Sequence, residues 1–147
     1  MGDIEPPKLR TVSKVSEIPK EQWNACATPI PAHYNPFTDH AFLLALEESG
    51  SAIPETGWAA QHLILESSDA GQIAGIVPLY LKSHSQGEYI FDHGWAEAWH
   101  RAGGQYYPKL LSAIPFTPAG GSRLLIRSGP EEKMARAALT EGLIALT

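Results

Sequence analysis

The sequence predicts a mixed α/β (α+β) domain in which a largely antiparallel sheet is flanked by helices. The chain of 147 residues is 44% hydrophobic and 18% charged, which is typical of one globular domain. Apolar residues alternate with a period of two over residues 72–82, which indicates a strand. From about Pro130 onward, apolar residues recur at helical spacing and predict an amphipathic helix.

The first part of the chain predicts a tail, a strand and a helix. Residues 1–8 are interpreted as a flexible tail, and residues 9–147 as a single domain. Weak alternation over Leu9–Val15 predicts the first strand. The helix that follows runs to about Ala27 and is expected to bury Trp23, and the prolines of residues 28–37 then predict a loop.

A second helix is predicted to begin at Thr38, a residue that is favoured as an N-cap. Phe37 and Phe42 have the spacing of a hydrophobic staple, in which a residue before the cap packs on one in the second turn. Gly50 is a natural end for this helix because glycine readily adopts a left-handed conformation.

The middle of the chain predicts three strands, over residues 58–66, 72–82 and 89–91. The first two are joined by a turn at residues 67–71. Pro78 lacks an N–H group and cannot donate to a sheet, so its strand is expected to have a bulge or an unpaired position there.

The C-terminal part predicts helices over 92–102 and 106–114, a strand over 123–127 and the helix from Pro130. Ser128 and Glu131 have the spacing of a capping box at the start of the last helix. That helix runs to the end of the sequence without a cap. We therefore expect the chain to be the truncated N-terminal half of a longer protein with two halves.

Charge and composition exclude several classes of function. The formal net charge is -5 and no stretch is strongly basic, which argues against a DNA partner. The N-terminus lacks the pattern of a signal peptide, and no apolar run is long enough for a membrane helix. Cys26 is the sole cysteine, which suits a reducing compartment, so a cytoplasmic location is expected.

Several segments resemble a bacterial GNAT-like family that is related to FemAB and is often described as a peptidoglycan biosynthesis or recognition protein. The resemblance extends over about residues 30–127, and the order of the predicted elements also matches the GNAT (acyl-CoA N-acyltransferase-like) fold. It is carried by four segments: Asn35-Pro36-Phe37 with His40-Ala41-Phe42-Leu43-Leu44-Ala45-Leu46-Glu47, Ala74 to Lys82, Tyr106-Tyr107-Pro108-Lys109-Leu110, and Pro115-Phe116-Thr117-Pro118.

The resemblance implies transfer of an acyl or aminoacyl group to an amine, linked to peptidoglycan or other cell-wall precursors. Acetyl-CoA or another acyl-CoA is a donor to consider, because ordinary GNAT enzymes use acetyl-CoA, whereas FemAB proteins take aminoacyl groups from tRNA. No resident cofactor is implied. The expected partners are a small or peptide-like amine and the missing C-terminal half of the same chain.

Candidate site residues follow from side-chain chemistry. Asp92 and His93 are candidates for catalytic proton transfer, although a lone aspartate or histidine in a helix is more often part of a solvated face. Tyr106, Tyr107 and Lys109 are candidates for binding the acceptor, or else they are half-buried side chains with structural hydrogen bonds.

The glycines of this region suggest a second kind of site. Gly120 and Gly121 are candidates for donor binding through backbone contacts, or else they form a tight turn. No metal site is predicted, because the histidines after Asp92 match no established zinc spacing.

A different function is also consistent with the sequence. GNAT enzymes cradle the donor pyrophosphate in a glycine-rich turn at a helix N-terminus, but the corresponding segment here is Asp92-His93-Gly94-Trp95. One glycine beside an acidic residue suits phosphate poorly. The chain could thus be a non-catalytic structural or substrate-binding half that packs on a catalytic second domain, or that forms a homodimer through exposed apolar surface.

Overall fold

The computed structural model describes residues 8–147, and the predicted tail lies outside this range except for Lys8. Within these residues the strands are β1 (Leu9–Val12), β2 (Trp58–Ala60), β3 (His62–Glu66), β4 (Ile73–Val77), β5 (Tyr80–Lys82), β6 (Lys109–Leu111) and β7 (Leu125–Ile126). The helices are α1 (Lys20–Ala27), α2 (His40–Glu48), α3 (His93–Arg101) and α4 (Glu132–Ala145). The predicted general class, a mixed α/β fold with antiparallel strands, is confirmed.

The strands form two antiparallel sheets instead of one. The large sheet has the strand order β1-β3-β4-β7, and the small sheet has the order β2-β5-β6. Alternation of side chains gives the large sheet two apolar faces. Ile64 and Ile76 contribute to a core shared with α1 and α2, while Leu63 and Leu65 contribute to a core with α4. The large sheet is thus buried between helices on both sides.

Trp23 of α1 is the largest side chain of the first core, and its burial was predicted. It is 0% exposed, and its indole N–H donates to the carbonyl of Thr38 at 2.9 Å. On the other face, Gly75 of β4 lies against Leu139 of α4. A Cβ atom at this glycine would lie 2.7 Å from a Leu139 methyl group, so the absence of a side chain lets α4 approach the sheet.

Each of the two long predicted strands is interrupted at the boundary between the sheets. The chain passes from β2 into β3 at Gln61 and from β4 into β5 at Pro78 and Leu79, and the Gln61 N–H still donates to the Leu79 carbonyl at 2.8 Å. The expected irregularity at Pro78 is present, because this residue stands outside both β4 and β5.

Two further predicted elements are wrong. Residues 89–91 form no strand, since Tyr89 and Phe91 have φ angles of 58° and 57°, a left-handed conformation incompatible with an extended chain. The predicted helix over 106–114 is instead a loop followed by β6. Pro108 accounts for this difference, because proline lacks a helical donor and restricts the residue before it.

The ends of two helices also differ from the predictions. Asp39, and not Thr38, caps α2, since its carboxylate accepts the N–H of Ala41 at 2.8 Å. The predicted Phe37–Phe42 contact is present, with ring centroids 5.4 Å apart, but with Asp39 as the cap the two residues no longer occupy the positions of a hydrophobic staple. The predicted capping box of α4 is wrong, because Glu131 instead accepts hydrogen bonds from Ser67 and Ser68 in the turn between β3 and β4.

Candidate functional site

The small sheet places two lysines beside each other. Lys82 of β5 and Lys109 of β6 are directly paired across the antiparallel ladder. Two like charges at such a position repel each other unless anions lie nearby. Glu88, in the loop after β5, supplies one, with its Oε2 2.7 Å from Lys109 Nζ and its Oε1 3.8 Å from Lys82 Nζ.

Asp92 completes the charge balance at the N-terminus of α3. Its Oδ2 accepts hydrogen bonds from Lys109 Nζ and from the Tyr106 hydroxyl, the latter at 2.8 Å. Burial by itself would raise the pKa of Asp92, but the hydrogen bonds from Lys109 and Tyr106 outweigh it and lower this pKa well below its usual range. Asp92 is therefore a firmly ionised carboxylate.

Tyr106 and Tyr107 enclose the same lysine. Their rings pack edge to face at 5.1 Å, and Lys109 Nζ lies 5.4 and 5.7 Å from their centroids. The Tyr107 hydroxyl is 2.6 Å from Ser85 Oγ, which in turn accepts a hydrogen bond from Lys109 at 2.8 Å. The hydrogen bond to Asp92 raises the pKa of Tyr106, so this phenol is held in its protonated form.

Lys82 is the most deeply buried member of this group. Its side chain is 0% exposed, its Nζ donates to the Gln86 carbonyl at 3.3 Å, and it lies 3.7 Å from the centroid of the Trp58 ring. Burial lowers the pKa of Lys82 to about 8, although the charge of Glu88 opposes the shift. A fraction of this lysine is thus neutral near physiological pH.

We call the group of Lys82, Ser85, Glu88, Asp92, Tyr106, Tyr107 and Lys109 the Asp92 cluster. Its hydrogen bonds are incomplete. Asp92 Oδ1 and Glu88 Oε1 are both buried, and within residues 8–147 neither has a hydrogen bond donor. Glu88 Oε1 still lies at ion-pair distance, 3.8 Å, from Lys82 Nζ. Buried carboxylate oxygens are normally hydrogen-bonded, so these two acceptors have the chemistry to receive further N–H or O–H groups.

The structure brings together four of the predicted site residues and leaves three apart. Asp92, Tyr106, Tyr107 and Lys109 all belong to the Asp92 cluster. His93 begins α3 but is exposed to solvent, and it shares no hydrogen bond with Asp92. Asp92 and His93 therefore do not form a catalytic dyad.

Gly120 and Gly121 lie in a separate loop. The Asn35 amide donates to the Gly120 carbonyl at 3.2 Å, and Arg123 donates to the Ala119 carbonyl at 2.8 Å. Gly121 has a φ angle of 132°, which other residues rarely adopt, so this turn needs glycine for its own geometry. The assignment of Gly120 and Gly121 to donor binding stays a prediction.

Sequence reasoning missed Lys82, Ser85 and Glu88. A signal for Lys82 was present in the sequence, because it directly follows the mostly apolar series from Ile73 to Leu81. A lysine at the end of such a series is expected to need a buried anion. Glu88 carried no such signal, since it lies in a loop whose path only the tertiary fold defines.

Two general properties of the described chain bear on the site. Across residues 8–147, the His, Cys, Asp and Glu side chains nowhere gather in the threes that could hold a metal ion. Over the same residues, every helix is too short or too polar to cross a membrane.

Comparison with known proteins identifies the family. The FemAB-like family, described as peptidoglycan biosynthesis/recognition, matches residues 14–147. The chain belongs to the FemAB-like family. This match includes every residue of the Asp92 cluster and confirms the resemblance seen in the sequence. No curated protein and no solved structure matches the chain.

Proposed function

We propose that this FemAB-like chain binds the amine acceptor in a reaction that transfers an acyl or aminoacyl group to a peptidoglycan precursor. The fold would be GNAT-like, with the donor bound wholly or partly by a C-terminal half. Family membership supports the link to peptidoglycan. The role in acceptor binding is inferred from the Asp92 cluster.

The observation that carries the proposal is the pair of buried carboxylate oxygens without donors, Asp92 Oδ1 and Glu88 Oε1. An ammonium group has three N–H donors and a positive charge, so it would satisfy such oxygens with charge-assisted hydrogen bonds. Tyr106 and Tyr107 are only partly buried and would line the approach to them. These side chains offer both apolar surface and a hydroxyl to a peptide-like substrate.

The state of Asp92 favours binding over proton transfer. In acyl transfer to an amine, the nitrogen attacks a thioester or ester carbonyl, the bond to sulfur or oxygen breaks, and the amine loses a proton to a base. An efficient base has a pKa near the working pH. The pKa of Asp92 lies far below that range, so this carboxylate is better suited to holding a cation than to accepting its proton.

The catalytic roles predicted for Asp92 and His93 stay predictions. His93 lies exposed in the first turn of α3 and makes no hydrogen bond with Asp92. It would act as a base only for a substrate amine bound at that turn, outside the Asp92 cluster. The backbone of Gly120 and Gly121 stays the candidate donor contact for acetyl-CoA or another acyl-CoA within this chain.

A calorimetric titration tests the proposal. The ligand is a peptidoglycan stem peptide with a side-chain amine, and its N-acetylated form is the control for the charge. We expect the amine form to bind, and Asp92→Asn and Tyr106→Phe each to weaken binding at least about ten-fold, since hydrogen bonds to charged groups contribute about 1.5–3 kcal/mol. Tyr34→Phe changes an exposed tyrosine outside the cluster and should bind normally.

Equal binding of the amine and acetylated peptides, or unchanged binding by a folded Asp92→Asn variant, would refute acceptor binding at the cluster. A parallel titration with acetyl-CoA separates the alternatives for the donor. Binding that is lost in Gly120→Ala, where an added Cβ atom meets nothing within 4 Å, would support a donor site within this chain. Absence of binding by the folded protein would support a donor site elsewhere.

A further inference from the structure

A second site is indicated by a cleft of about 400 Å³ between α2 and the edge of the small sheet. This volume is in the range of small-molecule sites, which span about 300–1,000 Å³. Leu44, Ile53 and Pro54 give it an apolar wall, and Glu47, Glu48 and Lys14 are its charged residues. The carboxylates therefore outnumber the single lysine in the lining.

Glu47 is a fixed carboxylate at this cleft. Its two oxygens lie 3.2 and 3.0 Å from the Val15 backbone nitrogen, whose N–H they accept, and Oε1 is 3.4 Å from Nε2 of His62. His62 Nδ1 accepts the Leu79 N–H at 3.1 Å, so the imidazole proton is on Nε2 and points to Glu47. The side chain of Glu47 keeps 12% exposure and so remains open to a ligand.

Trp58 supplies an aromatic part of the same lining. It is fully buried, packs edge to face on Tyr80 at 5.2 Å, and its indole N–H has no hydrogen bond partner within residues 8–147. A buried indole N–H normally has a partner. Trp58 thus borders the cleft as a buried side chain, and its unsatisfied indole N–H is a donor that an ammonium group does not satisfy.

We infer that this cleft binds a small organic amine, whose ammonium group pairs with Glu47 and whose apolar body packs against Leu44, Ile53 and Pro54. A carboxylate already fixed by backbone and imidazole donors needs no rearrangement to receive a cation. The apolar wall selects an aliphatic or aromatic body over a small inorganic ion. This site shares no residue with the Asp92 cluster, although Lys82 of that cluster lies against the ring of Trp58, and it does not depend on the proposed function.

Nuclear magnetic resonance tests the inference with the ¹⁵N-labelled protein. The probe is hexylamine, and 1-hexanol is the control of the same length without the charge. The indole N–H signals of Trp23, Trp58, Trp95 and Trp99 report on different places, and Trp58→Phe assigns the signal of interest. We expect hexylamine to shift the Trp58 signal saturably, with 1-hexanol binding at least about ten-fold more weakly.

Two variants test the pairing. Glu47→Gln keeps an acceptor for Val15 but removes the charge, and it should weaken hexylamine binding at least about ten-fold while leaving 1-hexanol binding unchanged. Ala60→Leu adds volume to the lining and should weaken both probes, which keeps the inference testable even if Glu47→Gln fails to fold. Asp92→Asn should leave the Trp58 response to hexylamine unchanged.

Three results would overturn the inference. One is the absence of a saturable Trp58 shift in the native protein. Another is equal affinity for hexylamine and 1-hexanol, which would show an apolar cleft without cation recognition. The third is loss of the Trp58 response in Asp92→Asn, which would place the amine at the Asp92 cluster. That last result would leave the proposed function standing while this site failed.

Discussion

The two sheets of this protein bury different kinds of side chain. The large sheet is covered by helices on both faces, and the residues it buries there are almost all apolar, with Trp23, Leu43 and Leu139 at 0% exposure. The small sheet buries Lys82, and beside it lie Glu88 and Asp92, which are nearly as inaccessible. The large sheet is stabilised mainly by apolar packing, whereas the stability of the small sheet depends on the charges of its buried side chains.

This difference separates a scaffold from a reactive region. Apolar burial contributes a free energy that depends little on pH, whereas a buried ion network couples stability to the protonation of each member. The ion network of the small sheet also contains buried polar atoms without a hydrogen bond, namely Glu88 Oε1 and Asp92 Oδ1. Apolar side chains have no such atoms. We therefore expect substitutions of the apolar residues of the large sheet to change stability alone, and those of the charged residues beside the small sheet to change stability, pH response and binding.

The largest effect is expected for Trp23→Ala in the large sheet. The substitution removes a fully buried indole and its hydrogen bond to Thr38, so the free energy of unfolding should fall by about 3–5 kcal/mol. Urea unfolding measures it, and the loss should be similar at neutral and alkaline pH. Trp95→Ala, at a side chain that is 75% exposed, should cost less than about 0.5 kcal/mol. Equal losses for the two variants would contradict the assignment of the core.

A smaller effect is expected from the titration of Lys82 in the small sheet. Its pKa is about 8 in the folded protein and 10.5 in the reference state, so between these values the unfolded chain binds the extra proton. The free energy of unfolding should therefore rise with pH across this window, by at most about 3 kcal/mol. Unfolding of the native protein and of Lys82→Met, compared at several pH values, isolates this contribution.

Lys133→Met is the matched control for that experiment, because Lys133 is exposed on α4. It should show the same dependence on pH as the native protein. If Lys82→Met also keeps the full rise in stability, the rise comes from other groups, and the contrast between the two sheets is not due to this lysine.

The smallest effect is expected for Asp39→Ala, which removes a polar group on the side of the large sheet. Asp39 caps α2 and also accepts a hydrogen bond from Asn24 at 3.1 Å. Loss of such a cap costs about 1 kcal/mol, which thermal or urea unfolding detects. Asp69→Ala, in an exposed turn, is the control. A cost as large as that of Trp23→Ala would mean that polar contacts also dominate this region.

Much of the scaffold could be predicted because its signals are local. Period-two alternation located β4 and β5, helical spacing located α4, and the Phe37–Phe42 spacing predicted a contact that the structure contains. The helix predicted over 106–114 failed for a local reason, the proline at 108, but other predictions failed where distant contacts decide. Glu131 had the spacing for a capping box, yet its carboxylate is taken by Ser67 and Ser68, far away in sequence.

The sequence by itself determined the mixed α/β class and the burial of Trp23, and it identified Tyr106, Tyr107, Lys109 and Asp92 as candidate site residues. Only the tertiary structure decided that these four meet, and that Lys82 and Glu88 join them. Pairing of β5 with β6 sets Lys82 beside Lys109, and strand pairing across such a distance in the chain has no local signature. The physical reason is that hydrophobic periodicity acts between near neighbours, whereas a buried charge can be stable only where the fold brings it a partner.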